Sequence, residues 1–226
     1  MIDKTFNIAI DGPAGAGKST IAKKVSAELG YIYVDTGAMY RAMGLYFLRN
    51  DIKSDDEASI SAAVEKVDIS LAYTDGIQHV YLNGEDVTGL IRTEAVGNMA
   101  SNTSIYKQVR EKLVELQIKI AKASNVVMDG RDIGTCVLPD ADVKIFLTAS
   151  IKTRAMRRFK ELSEKGVNCG IIKIEADIAE RDLRDITRKV SPLKRADDAI
   201  EIDSSDMSID DVSFAIINKV KELKVQ

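Results

Sequence analysis

Short apolar runs alternate with stretches of helical periodicity along most of this 226-residue chain. The strand-type runs are Phe6–Asp11, Tyr31–Asp35, Val126–Asp129, Val143–Leu147 and Ala199–Asp203. After the first, Ile21, Val25 and Leu29 recur at helical spacing and stop at Gly30, and a second helix is expected from about Gly37 to Arg49. Between Ser104 and Ala123 a long helix is predicted, with Ile105, Val109, Leu113, Leu116 and Ile120 on one core-facing stripe. Another amphipathic helix runs from about Ile209 to Leu223. Strands alternating with helices are the mark of a parallel α/β sheet, here with five candidate strands.

One stretch breaks the alternation. Residues 68–88 hold three short runs of mixed apolar and polar residues, separated by Asp75-Gly76 and Asn83-Gly84. Such turn pairs predict a small antiparallel meander. A meander cannot by itself connect parallel strands, so residues 52–98 are expected to form an inserted unit. Residues 1–51 and 99–226 then make the core, with a lid at about 151–188.

Composition narrows the classes. The formal net charge is −3 with 30% charged residues, so no global basic surface points to nucleic acid. Cys136 and Cys169 have neither metal-ligand spacing nor the numbers for a disulfide framework, which suits a reducing compartment. No apolar run approaches membrane-spanning length and the first strand begins within a few residues, so no signal peptide or membrane partner is expected. The expectation is a cytoplasmic monomer. The one histidine, His79, falls in the meander, which argues against catalysis by a histidine base.

The chemistry is carried first by Gly12-Pro13-Ala14-Gly15-Ala16-Gly17-Lys18-Ser19, a complete G-x-x-x-x-G-K-[ST] loop between a strand and a helix. Backbone N–H groups and the helix N-terminus cradle phosphate in this setting, and Thr20 extends the site. Lys18 would reach the β- and γ-phosphates of ATP, and the Ser19 hydroxyl would ligate Mg²⁺. At the end of the third strand Asp129-Gly130-Arg131-Asp132 offers Asp129 as a second Mg²⁺-orienting group, Arg131 for an acceptor phosphate and Asp132 for a hydrogen-bond donor on the substrate. Arg41 stands one turn into the helix that follows Asp35-Thr36-Gly37. Arginines 154, 157, 158, 181, 184, 188 and 195 crowd the stretch 151–195; they suit a lid over a polyphosphate better than a solvated helix face.

Taken in order and spacing, these residues resemble the bacterial cytidylate kinases of the nucleoside-monophosphate kinase group, nearly end to end. The match includes Ile10-Asp11-Gly12-Pro13, Asp35–Arg41, Asp129–Thr135, Glu180-Arg181-Asp182 with Asp185 and Arg188, and Ser191-Pro192-Leu193. The resemblance implies a P-loop three-layer fold with a parallel sheet in the order 2-3-1-4-5, a monophosphate-binding insertion and a short helical lid. It implies phosphoryl transfer from ATP to CMP, with dCMP as a second acceptor, in pyrimidine nucleotide metabolism. Arg41 and Arg131 would hold the acceptor phosphate. Arg110, Asp132 and Arg188 would face the base, and Ser101, Arg181 and Asp185 the sugar; Thr36 stands where many members carry Ser. Arg154, Arg157 and Arg158 would lie towards ATP, with the one that touches phosphate unassigned.

The base assignment has a physical logic. Cytosine offers an N4 donor beside the N3 and O2 acceptors, which a carboxylate and a guanidinium can meet together. Uracil would set its O4 lone pairs against the Asp132 carboxylate. No general base is required, because the attacking phosphate oxygen is already ionised; Lys18, Asp129, Arg131 and Arg188 are the candidate catalytic groups. A kinase for UMP, AMP or shikimate, or a P-loop switch or ATPase, are the alternatives. A switch would have no use for the second anion site at Arg41 and Arg131.

Overall fold

A computed structural model describes residues 5–164 and 166–224. In chain order the first half contains β1 (Asn7–Asp11), α1 (Lys18–Leu29), β2 (Ile32–Asp35), α2 (Thr36–Arg49), α3 (Glu57–Val64), β3 (Ile69–Thr74), β4 (Ile77–Leu82) and β5 (Glu85–Asp86). There follow α4 (Glu94–Thr103), α5 (Lys107–Ala123), β6 (Val126–Gly130), a π-helical turn (Ile133–Val137), β7 (Val143–Thr148), α6 (Ile151–Glu164), α7 (Ile171–Thr187), β8 (Ile200–Asp203) and α8 (Ile209–Lys224). The main sheet is parallel and ordered β2-β6-β1-β7-β8, the expected 2-3-1-4-5 arrangement of its strands.

The central strands are apolar because both faces are covered. Successive side chains point to opposite faces, so Ile8 and Ile10 of β1 join one core and Ala9 joins the other. The first core packs α1 and α8 on the sheet through Ile21, Val25, Ile216 and Val220. The second packs α2 and α5 through Met39, Met43, Phe47, Val109 and Leu113. It continues without a break into Ile60, Val64, Ile69, Val80, Leu82 and Val87 of the 52–98 segment. Helix α4 approaches α2 so closely at Gly44 that a Cβ there would lie 2.9 Å from the Ala100 nitrogen.

The meander is present as β3-β4-β5, antiparallel throughout, with Ile69 opposite Leu82 and Leu82 opposite Glu85. Asp75-Gly76 and Asn83-Gly84 both have positive φ at each residue, the pattern of the tight turns that match strand twist. Helix α4 runs across position 98.

The long helix expected from Ser104 is shorter than predicted. The chain turns at 104–106, where the Tyr106 N–H donates to the Thr103 carbonyl and the Tyr106 hydroxyl to the Ser54 carbonyl. Ile105 therefore lies outside α5 and is exposed. The buried face of α5 is Val109, Arg110, Leu113, Gln117 and Ala121, with Leu116 and Ile120 at its margin. Arg110 belongs to that buried face, where Asp132 neutralises it.

Helices α6 and α7 pack on one another around Ala155, Ile174 and Ile178. No helix among the described residues is long and apolar enough to cross a membrane.

Candidate active site

Every candidate residue except Gly12 and Pro13 lines one cleft of about 770 Å³ at the carboxyl ends of the strands. Gly12 lies behind the wall, at φ 148°, where a Cβ would come within 1.9 Å of the Leu147 carbonyl oxygen. Only glycine fits between β1 and β7 at that point. Gly17 opens α1 without a side-chain cap, which leaves the first N–H groups of that helix available to an anion. The buried Lys18 folds back and donates to the Pro13 carbonyl at 2.7 Å.

Asp129, at the end of β6, receives the Ser19 hydroxyl on one oxygen at 2.8 Å and the Tyr33 hydroxyl on the other at 2.9 Å. Burial, then the charge of Asp35, pushes its carboxyl up to about 6. Burial, aided by Arg131, holds the Lys18 ammonium well below its ordinary value. Asp11 ends β1 and accepts the Ile133 and Gly134 N–H groups at 2.8 and 2.7 Å, which fixes the turn that follows Asp132; burial raises it too, to about 6.

The opposite half of the cleft is dense in arginine. Asp132 bonds Arg110 in a short contact and Arg188 at 3.4 Å, with all three buried in their side chains. Arg131 donates through Nε to Asp185 at 2.8 Å. Burial alone would raise Asp185, but Arg131, Arg181 and Arg188 outweigh it and hold the carboxyl below its ordinary value. Arg181 is lowered to about 10 by burial and then by Arg131. The Nε groups of Arg41, Arg110 and Arg181 are buried with no hydrogen-bond acceptor. Unmet cationic donors on three residues that line one cleft suit an anionic, acceptor-rich ligand. Thr36 gives its hydroxyl to the Asp129 carbonyl at 2.7 Å, and Ser101 lies on the wall.

The three arginines of α6 differ in situation. Arg154 is buried behind the phosphate loop, donating to the Ala149 carbonyl at 2.8 Å and the Ala14 carbonyl at 3.0 Å, and pairing with Asp182 at 2.6 Å. Arg157 donates to the Ser204 carbonyl at 2.6 Å, beside the cleft wall formed by Met207 and Ile209. Arg158 pairs with Glu161 at 2.7 Å on an exposed turn of α6.

Some participants carry no sequence signal of their own. Tyr33 reads as an ordinary strand residue, yet it holds Asp129. Asp182 reads as one of several lid acids, yet it holds Arg154. Arg92 lies in the segment 52–98 and reaches Asp35 at 3.1 Å. Asp35 was legible only as part of its motif; it caps α2 through the Ala38 N–H at 2.9 Å and also receives Arg41 at 3.3 Å.

A protein-family model described as cytidylate kinase matches residues 8–222. A curated relative of that name from Caldicellulosiruptor saccharolyticus is 52% identical over 220 residues, covering 97% of this chain and 96% of its own length. Another cytidylate kinase, from Lactobacillus gasseri, is 50% identical over 218 residues, covering 96% of this chain and 93% of its own. Among solved structures, an uncharacterized protein from Eubacterium ventriosum superposes with a TM-score of 0.52 at 14% identity, over 96% of this chain and 99% of that one. That last likeness is one of fold.

Proposed function

Because the chain belongs to the cytidylate kinase family, we propose that its cleft takes ATP at the loop 12–19 and CMP at the arginine-rich end, and makes ADP and CDP. The observation that carries this reading is the pairing of a phosphate loop with a second set of unmet cationic donors in the same cleft. In it, Arg41 and Arg131 hold the acceptor phosphate, Ser101, Arg181 and Asp185 the sugar, and Arg110, Asp132 and Arg188 the cytosine. The segment 52–98 serves as the monophosphate-binding unit and α6–α7 as the lid. dCMP is a second acceptor, and the enzyme works as a cytoplasmic monomer.

Mg²⁺ suits the oxygen donors at the loop. The Ser19 hydroxyl and the Asp129 carboxylate stand 2.8 Å apart where the β- and γ-phosphates would end, a hard-oxygen pair of the kind that ion favours. When bound, the ion neutralises charge on those phosphates. Lys18 leaves the Pro13 carbonyl for the γ-phosphate, and Arg131 faces it from the acceptor side. The attacking oxygen belongs to a phosphate already ionised near neutral pH, so the protein's part is alignment and charge neutralisation. His79 fits this, since it bonds Asp86 at 2.9 Å in the antiparallel sheet and is not on the cleft wall. Arg157, Met207 and Ile209 offer a cation and an apolar surface to the adenine.

The test is ADP production from Mg²⁺ and ATP with each nucleoside monophosphate in turn. Rapid turnover is expected with CMP and dCMP, and slow turnover with UMP and AMP. Equal turnover with all four would overturn the acceptor assignment.

Asp129→Asn separates chemistry from stability. The amide keeps an acceptor for Tyr33 and offers a donor to Ser19, but it cannot serve a cation. Since the folded carboxyl sits near 6, above its ordinary 3.8, the folded state holds its proton more tightly than the unfolded chain. Its contribution to stability is therefore full below about 4 and is lost as pH rises through about 6. The variant is expected to lose kcat by roughly 10²-fold. Its melting temperature, relative to the parent, should improve between pH 4 and pH 7. A melting difference independent of pH would count against a buried, charged Asp129 in the nucleotide-free protein.

A further inference from the structure

Asp35 receives two arginines on a single oxygen. Arg41 of α2 reaches its Oδ2 at 3.3 Å and Arg92 reaches the same atom at 3.1 Å. Its other oxygen is committed to the Ala38 N–H. The carboxylate is buried, whereas the Arg92 side chain is 60% exposed and comes from the segment 52–98. The backbone of Asp35 is gripped from that segment as well. Gln78 of β4 accepts its N–H at 2.9 Å and donates to its carbonyl at 3.4 Å, completing the end of the edge strand β2. Two side chains of the insertion thus converge on the residue that holds Arg41.

A buried carboxylate stripped of its partner is strongly destabilising. If Asp35 had Arg41 alone, an incoming phosphate could draw Arg41 away only by leaving that charge uncompensated. Arg41 has an unmet Nε besides, so it is only partly engaged by Asp35. Resting on the reading that Arg41 grips the acceptor phosphate, we propose that Arg92 is a positioning residue which holds the charge of Asp35 while Arg41 turns to that phosphate. Gln78 is the strut that keeps Asp35 within reach of both arginines. The exchange works only while the insertion is seated against β2, so acceptor-phosphate affinity is tied to that seating. Arg92 itself is off the cleft wall and lines, with Asp35, a separate depression.

The experiment compares Arg92→Ala and Arg92→Lys with the parent, using two halves of the acceptor as competitive inhibitors. Ribose 5-phosphate carries the phosphate without the base, and cytidine the base without the phosphate. In Arg92→Ala the KM for CMP and the Ki of ribose 5-phosphate should rise about tenfold, with the Ki of cytidine and the KM for ATP within about twofold of the parent. Arg92→Lys should recover most of the loss, since it restores a cation. Because the Arg92 side chain is largely exposed, its removal spares the fold, and a melting curve checks this. Equal weakening of both inhibitors, or an unchanged Ki for ribose 5-phosphate, overturns the proposal. Parent turnover of CMP is measured in the same series, so a failure of the acceptor assignment would be seen there and not in the variants.

Discussion

Replacing Lys18 with alanine is expected to lower kcat by roughly 10³-fold, with a melting temperature equal to the parent's or higher. The asymmetry follows from where the ammonium sits. Without nucleotide it is buried, it has one carbonyl for a partner, and burial together with Arg131 disfavours its charge. Its removal relieves the folded protein of that unfavourable charge. With a triphosphate in the loop the balance reverses, because the anion restores the reason for the proton and the ammonium neutralises charge on the transferred group. Stopped-flow turnover and a thermal melt on the same preparation check both halves. Near-parental kcat would remove Lys18 from the catalytic set, and a large fall in melting temperature would show that it holds the fold.

Asp132→Ala should act on stability and selectivity together. Arg110 and Arg188 converge on this carboxylate, all three side chains being buried, so the truncation leaves two guanidinium groups facing one another. Breaking a buried pair in this way costs about 3–5 kcal/mol. In a chain of this length that corresponds to a fall of roughly 6–20 °C in melting temperature. On the proposed base assignment cytosine would lose the acceptor for its N4 group, so kcat/KM for CMP should fall by about 10²-fold while that for UMP falls much less. Asp132→Asn keeps the shape and can donate to a carbonyl, so it should raise UMP relative to CMP without the full thermal penalty. Measured CMP-to-UMP ratios that stay at the parent value in both variants would exclude Asp132 from reading the base.

The parallel core was legible because its strands and helices announce themselves by periodicity, and because strand ends are where such folds place ligands. The loop 12–19, the Asp129–Asp132 run and the arginines of α6 and α7 could be read for the same reason: each chemical type stands at a strand end or beside a phosphate loop. Ile105 was misplaced since an apolar residue one turn before a helix continues its stripe on paper, and only the Tyr106 bonds across the turn interrupt it. The burial of Arg110 on α5 was not legible, because a charge is buried only where a partner meets it. That partner lies twenty-two residues away in sequence, on another element. Tyr33, Gln78 and Arg92 stayed silent for a related reason. Their roles are defined by what the folded chain brings next to them, and a tyrosine in a strand or an arginine in a loop has many ordinary uses.

The apolar core that runs from α2 into the 52–98 segment has a consequence for how this enzyme could be dissected or recombined. In its packing the segment is not separate from the core. Ile60, Val80 and Leu82 are as much part of the interior as Met43 and Phe47, and Gly44 is shaped to the backbone of α4. Excising the segment would leave the α2 face as an open oily surface in place of a minimal kinase. Any exchange of the segment would have to carry α2 with it, from Thr36 onward, because the two bury one another.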